Sequence, residues 1–404
     1  MARYATARAS LGGVVVGRAK SGYSYALSES RVFMSSVSSG SLSLAARDNL
    51  VEIESVLRRQ WRLGQNISLC WSLSPRGILV LCVPHYFFGS FCAEQDQEAP
   101  GHLSDNERFV RALISHGRRY ERAELFEIAD RLGVAPTFIK PRTPLEDEPA
   151  LCAALDELVK RYGLSFVHQR AVVLFDICGF SLFTSFEQAS QLNSLSYSLN
   201  SAYTKLQAVG IDVAFRRTTT GDGYYVWHEN PAADANRDLF LFLLLVIADN
   251  AAAQRAARAN TVPIVRAGFH IDAHYELYQA EGVNPTLFSY IVGEVTITLA
   301  RLIEKAAPGQ IVIGDFRAVT DLGLLNPDSF IDDAHQYAKA LEGIILAGKP
   351  IERVDLYLTA DTAGNSVGLS VTDKHNLTHT AFNLQFNLTA GDDEYRLGSE
   401  LLHV

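Results

Sequence analysis

Residues 170–177 read Arg-Ala-Val-Val-Leu-Phe-Asp-Ile. Five apolar residues in a row, without polar alternation, describe a strand covered on both faces, so the chain must build a sheet around it. The run ends in Asp176, a carboxylate that must reach the surface or be paired. Strand-like and helical segments interleave from there on. The stretch 185–210 has helical spacing and closes on Gly210, and "IDVAFRRTTT" and "YYVWH" flank a Gly-Asp-Gly as a hairpin. A long helix over 236–259, a strand "PIVRAGFHIDAHYELY", a turn and helix over "SYIVGEVTITLARLIEKAAPGQ" and strands "QIVIGD" and "PIERVDLYLT" follow. This order predicts an α+β sandwich with helices packed on one face of a sheet. The tail "AFNLQFNL" alternates with period two and is expected as an added edge strand within a C-terminal extension, 361–404.

Upstream, "ISLCWSLSPRGILVLCVPHYFF" (67–88) reads as two strands around a Ser-Pro-Arg-Gly turn, and 106–134 as helix in two pieces broken near Gly117. Residues 135–149 hold four prolines and form the best linker, followed by a short helix over 150–162. A separate N-terminal α/β region, 1–145, carries no recognisable chemistry. The first residues, with Glu29 as the earliest acid, faintly resemble an organellar presequence. An N-terminal strand after a short basic start is preferred.

At 404 residues the chain is long enough for two domains with sizeable cores. Its net charge of −9 speaks against non-specific nucleic-acid binding, which depends on Lys and Arg neutralising phosphate. Five cysteines without a Cys-x-x-Cys spacing fit a reducing, cytoplasmic setting, and Cys82, His85 and Cys92 read as strand neighbours rather than metal ligands. The longest apolar run, 239–248, is about half a membrane span and is read as a buried helix.

Asp176 is followed by a turn through Gly179 and Phe180, whose backbone N–H groups can cradle phosphate oxygens. Asp222 sits at the hairpin tip. Taken singly, a Gly-Asp-Gly is an ordinary turn and a strand-end Asp an ordinary helix cap. If their strands are neighbours, however, the two carboxylates meet, and they repel unless a cation or proton separates them. Beside a phosphate cradle that cation is Mg²⁺, or two such ions for in-line phosphoryl displacement.

At this point the sequence resembles the class III nucleotide cyclases. The blocks that carry the likeness are "VVLFDICGFSLFT", "TTTGDGYYVW", "VRAGFHIDA" and "SYIVGEVTITLARLIEKAAPGQIVI", in the family's order and spread over 168–360. The resemblance implies a ferredoxin-like catalytic domain, 165–360, active as a head-to-tail homodimer with its sites at the interface. Asp176 and Asp222 would bind two Mg²⁺ or Mn²⁺ ions with help from the Ile177 carbonyl. The other protomer would supply Arg301, whose planar fork suits charge developing on phosphate. Lys349 matches a lysine that reaches the triphosphate. His270 and His274 are given no role.

Three positions depart from the family pattern. Adenylate cyclases of this class read adenine with a lysine where Thr218 stands, paired with an aspartate or threonine where Tyr290 stands. Guanylate cyclases place glutamate and cysteine there. An asparagine expected four residues before Arg301 is replaced by Ile297, with Thr298 next. A tyrosine in place of a small acid fills volume, leaving room for a single-ring base, and its ring can stack. The Thr218 hydroxyl can donate and accept. This combination resembles the pyrimidine cyclases of bacterial Pycsar anti-phage defence, which make cyclic UMP or cyclic CMP for a downstream effector. UTP is favoured over CTP. The alternatives left open are base reading by Arg216 or Arg217, an adenylate cyclase with unusual base readers, and a catalytically degenerate nucleotide-binding module. Polymerase-like chemistry on a related fold is disfavoured by the acidic charge.

Overall fold

The computed structural model describes residues 42–93, 103–230, 232, 234–281, 286–320, 323–373 and 376–398. The strand expected near the N-terminus lies outside them. The N-terminal lobe holds α1 (Leu44–Trp61), β1 (Asn66–Ser74), β2 (Gly77–Pro84), α2 (Phe87–Ala93), α3 (Asp105–Ser115), α4 (Arg122–Leu132), β3 (Thr137–Ile139) and α5 (Pro149–Arg161). Its three strands form one antiparallel sheet in the order β1-β2-β3. Along β2 the period-two rule sorts the side chains. Ile78 and Val80 pack with α1 and α5, while Leu79, Leu81 and Val83 pack with α3 and α4. The proline-rich stretch expected as a linker is strapped across this lobe. β3 pairs with β2, the Thr143 hydroxyl donates to Asn49 Oδ1 at 2.9 Å, and Asp147 is paired with Arg119 at 2.7 Å.

The second half builds an eleven-stranded sheet. Its strands are β4 (Leu164–Ile177), β5 (Phe215–Thr219), β6 (Gly223–His228), β7 (Val265–Glu281), β8 (Thr286–Val292), β9 (Ile311–Gly314), β12 (Ile345–Leu346), β13 (Lys349–Leu358), β14 (Gly368–Thr372), β15 (Thr378–Ala390) and β16 (Asp393–Leu397). The small pair β10 (Ala318–Thr320) and β11 (Gly323–Leu325) stands apart. The main path runs β12-β13-β15-β9-β7-β4-β6-β5, with β7 and β9 parallel and every other neighbouring pair antiparallel.

With α6 (Ser185–Ala208) and α7 (Ala235–Ala256), the stretch from β4 to β7 is a βαββαβ unit. Its strands lie fourth, first, third, second and are all antiparallel, which is the ferredoxin-like arrangement. Both helices lie on one face, against Ala171, Val173, Phe175 and Ile177. A further helix, α8 (Glu294–Lys305), covers the opposite face, against Val172 and Leu174. Helices therefore occupy both faces of the completed sheet rather than one, as the unbroken apolar run of β4 requires. Also on the first face is α9 (Pro327–Tyr337). Among the described residues α7 alone is long and apolar enough to cross a membrane, and its run 239–248 is buried in the core.

Two further readings of the sequence are corrected. β8, expected as part of a turn, pairs with the far end of β7. β15, expected at the edge, lies inside the sheet between β9 and β13. Its polar alternate positions imitate a solvent face, yet Asn383 is fully buried and satisfied: Gln310 Nε2 donates to its Oδ1 at 2.9 Å, and its Nδ2 donates to Thr359 Oγ1 at 2.9 Å.

The two halves share β4 and β7, whose ends beyond the ferredoxin-like unit enter the N-terminal core through Phe166, Ala273 and Tyr275. Arg118, fully buried, fastens the junction by donating to the Leu69, Ile114 and Leu164 carbonyls and the Ser165 hydroxyl.

Candidate active site

Asp176, the last residue but one of β4, lies opposite Gly223 of β6 on one side and opposite Arg266 of β7 on the other. Asp222 therefore falls beside Asp176, and the Ile177 N–H donates to the Asp222 carbonyl at 3.0 Å. The two glycines of the turn have different duties. Gly221 takes φ 103°, a left-handed conformation that side chains resist. A Cβ on Gly223 would lie 1.9 Å from the Phe175 carbonyl oxygen, so only glycine lets the hairpin close on β4. Thr220 completes the tip, its N–H donating to the Gly223 carbonyl at 3.0 Å and its hydroxyl to Asp222 Oδ1 at 3.3 Å.

Burial pushes the Asp176 carboxyl above the usual carboxylate range; Arg266 opposes the rise and the Asp222 charge adds to it. Arg266 is a neighbour that the sequence reading missed. Its Nε donates to Asp176 Oδ2 at 2.7 Å, and its Nη1 to the Ala306 carbonyl at 2.9 Å. The available signal was a lone cation in the apolar strand "PIVRAGF", but only the register shows what it faces. With Oδ2 engaged, Asp176 keeps Oδ1 for a cation. Two carboxylates and the Ile177 carbonyl are hard oxygen donors, which fit Mg²⁺ or Mn²⁺. Their mutual repulsion is a further reason for a cation to be welcome.

After Cys178 the chain turns at Gly179, φ 65°, into a single 3₁₀ turn, Phe180–Leu182. Gln188 of α6 holds this turn through its Nε2, which donates to the Phe180 and Phe183 carbonyls at 3.1 Å each. Thr184 and Glu187 cap α6 reciprocally. The N–H groups of Gly179 and Phe180 thus open a fixed turn next to the carboxylate pair.

The remaining candidates stand elsewhere in the chain. Thr218 on β5 pairs with Tyr225, and Tyr290 on β8 is partly exposed; the two strands touch. The Tyr225 hydroxyl donates to the Thr296 carbonyl at 3.0 Å, tying this region to α8. Arg301, on α8, faces Asp373 at 3.6 Å and Glu304 at 3.8 Å rather than Asp176 or Asp222. Lys349 starts β13, four strand steps from β4, and is paired with Asp393 at 2.9 Å. Arg216 is paired with Glu229 at 2.6 Å, and Arg217 Nη1 donates to Ser196 Oγ at 3.2 Å. Within one chain the structure brings Asp176, Ile177, Asp222 and the Gly179–Phe180 turn together, and leaves Arg301, Lys349, Thr218 and Tyr290 with other neighbours.

No family model matches the chain, and no curated protein does. Among solved structures it is similar to the guanylate cyclase domain of RhGC from Catenaria anguillulae in complex with GTP, at 15% identity over 56% of this chain and 98% of that one, TM-score 0.34. It is similar to the guanylyl cyclase Cya2, at 13% identity over 57% and 96%, TM-score 0.32. The adenylyl cyclase CyaB from P. aeruginosa gives 12% identity over 55% and 95%, TM-score 0.33. Overlaps at these scores assign no chemistry, and the meaning of the site rests on its own residues.

Proposed function

We propose that the chain is a nucleotide cyclase of the class III type that converts a pyrimidine nucleoside triphosphate, UTP in preference to CTP, to its 3′,5′-cyclic monophosphate and pyrophosphate. The observation that carries the reading is the pairing of Asp176 with Gly223 inside a ferredoxin-like unit, which sets two acids distant in sequence side by side at one sheet end. Asp176 and Asp222, with the Ile177 carbonyl, are the groups that would hold the ions. Divalent cations, if bound there, would neutralise the triphosphate and lower the pKa of the ribose 3′-hydroxyl. The 3′-oxygen forms a bond to the α-phosphorus as the bond to the bridging oxygen breaks; the hydroxyl proton goes to solvent and pyrophosphate leaves. The Gly179–Phe180 turn receives phosphate oxygens.

Arg301 and Lys349 serve the site of the other protomer in a head-to-tail homodimer, Arg301 against charge on the α-phosphate and Lys349 against the leaving group. Exposed apolar side chains border both halves of such an interface: Leu182 and Phe186 near the carboxylates, Val292 and Ile297 near Arg301. Thr218 and Tyr290 contact the base. The product is a second messenger for a cyclic-nucleotide-responsive effector in a cytoplasmic anti-phage pathway, a role supported by the sequence resemblance.

The Asp176–Arg266 ion pair favours one further reading, a nucleotide-binding module without turnover, because it already neutralises part of the charge that would attract a cation. Incubating the full chain with ATP, GTP, CTP and UTP separately, with Mn²⁺, separates these readings. Cyclic UMP or cyclic CMP is expected. Asp222→Ala is expected to lower turnover by more than about a hundredfold. Cyclic AMP alone overturns the base assignment, and no product from any of the four overturns the cyclase.

A further inference from the structure

Arg301 is held by a part of the chain outside the ferredoxin-like unit. Asp373 follows β14, at the start of the turn that leads to β15, and its side chain is only 3% exposed. One carboxylate oxygen is fixed locally: Oδ1 accepts the Leu377 N–H at 3.0 Å, and the Asp373 N–H donates to the Leu377 carbonyl at 2.9 Å. The other, Oδ2, faces Arg301 Nε at 3.6 Å and His379 Nε2 at 3.7 Å. Val371, on the same hairpin, packs with the α8 side chains Leu299 and Leu302, so the carboxylate has a firm backing. Arg301, Glu304, Lys305, Val371, Thr372 and Asp373 together line a concavity of about 450 Å³.

The contact falls on the Nε side of the guanidinium. The Nη1 group faces Glu304, 61% exposed, at 3.8 Å. At 3.6 Å the Asp373 contact is an ion pair and not a hydrogen bond, and the buried Nε makes no hydrogen bond among the described residues. A carboxylate facing Nε leaves the terminal fork, which makes paired contacts to phosphate, clear of that attraction. An arginine on an exposed helix face would otherwise sample many rotamers and lose that entropy each time it engaged a substrate.

We propose that Asp373 is a positioning residue for Arg301: its buried carboxylate, backed by the β14–β15 hairpin, holds the guanidinium so that its fork faces the phosphate group of a nucleoside triphosphate bound to the partner subunit. The proposal rests on the cyclase reading above. It gives the C-terminal hairpin a part in the reaction rather than in folding alone.

The test is steady-state kinetics on full-length wild type, Asp373→Asn, Asp373→Ser, Arg301→Ala and the Asp373→Asn/Arg301→Ala double variant, with melting midpoints measured alongside. The expected result is a kcat about tenfold to a hundredfold lower in Asp373→Asn, with KM within about threefold of wild type. The double variant should be no worse than Arg301→Ala, because the carboxylate acts only through the arginine. Asp373→Ser, which retains neither charge nor reach, should match Asp373→Asn. An unchanged or raised kcat in Asp373→Asn overturns the proposal while the cyclase stands. So does a double variant that falls below Arg301→Ala by the full factor of the single change, and so does failure of both Asp373 variants to fold, which makes the contact structural. A wild-type chain inactive on all four triphosphates overturns the cyclase reading and this proposal with it.

Discussion

Asp176 and Asp222 could be picked out of the sequence because each breaks a local pattern, one closing an apolar strand and the other sitting between turn glycines. Arg266 and Asp373 could not. Each owes its meaning to a partner supplied by register or by a distant hairpin, and the local sequence does not name that partner. The same holds for two histidines given no role in the sequence reading or outside it. Burial drives both His228 and His274 down to about 4, with Arg170 nearby adding to the effect. His228 is kept neutral with its Nε2–H donating to Asn236 Oδ1 at 2.8 Å, an oxygen that also accepts the Ala171 N–H at 2.7 Å. Their folded values lie below the ordinary histidine value of 6.5, so the unfolded chain takes up protons first as the solution is acidified. The stability they allow is complete above pH 6.5 and declines as pH falls toward 4, by up to about 1.4 kcal/mol per pH unit for each ring. Urea midpoints measured across that window should show the decline, and His274→Leu should flatten it. A midpoint that stays level from neutral pH down through the window would contradict the burial argument.

At the scale of elements, most helices and strands were legible because their periodicities are clean. α6 carries a capping box at Thr184, and the break between α3 and α4 falls at the glycine expected to make it. The misplacing of β15 has a physical cause: a period-two pattern tells which side chains alternate, not whether the polar set meets water or buried partners. Asn383 met partners, so β15 went inside the sheet. The hairpin between β5 and β6 was legible as a turn, whereas its seat on β4 was not. That seat makes a prediction. Gly223→Ala should push β6 off β4 next to Asp176, losing turnover together with at least about 2 kcal/mol of stability, as overpacking does. Gly221→Asn, with open space around its Cβ and a residue type that tolerates left-handed backbone, should cost no more than about 1 kcal/mol. Equal losses in chemical denaturation of the two variants would remove the distinction drawn between the glycines.

For the whole molecule, a single chain supplies half of what the proposed reaction needs. Its carboxylate pair and the Gly179–Phe180 turn lie together, while Arg301 and Lys349 face other neighbours. Asp222→Ala and Arg301→Ala should therefore each fall to about a hundredth of wild-type activity or less when alone. Co-expressed, they should recover about a quarter of wild-type specific activity, because about half the dimers are mixed and each of those carries one intact site of two. A mixture no more active than the single variants would mean that the site is completed within one chain. The N-terminal lobe enters this picture through β4. Its first residues lie in the lobe's core and its last but one is Asp176, a span of roughly 40 Å of extended backbone. Between the two ends the strand is interrupted once, by a register shift between Val167 and Arg170, and a bulge is where a strand bends. A push on the lobe would therefore reach the carboxylate as a tilt pivoting at that bulge rather than as a straight thrust.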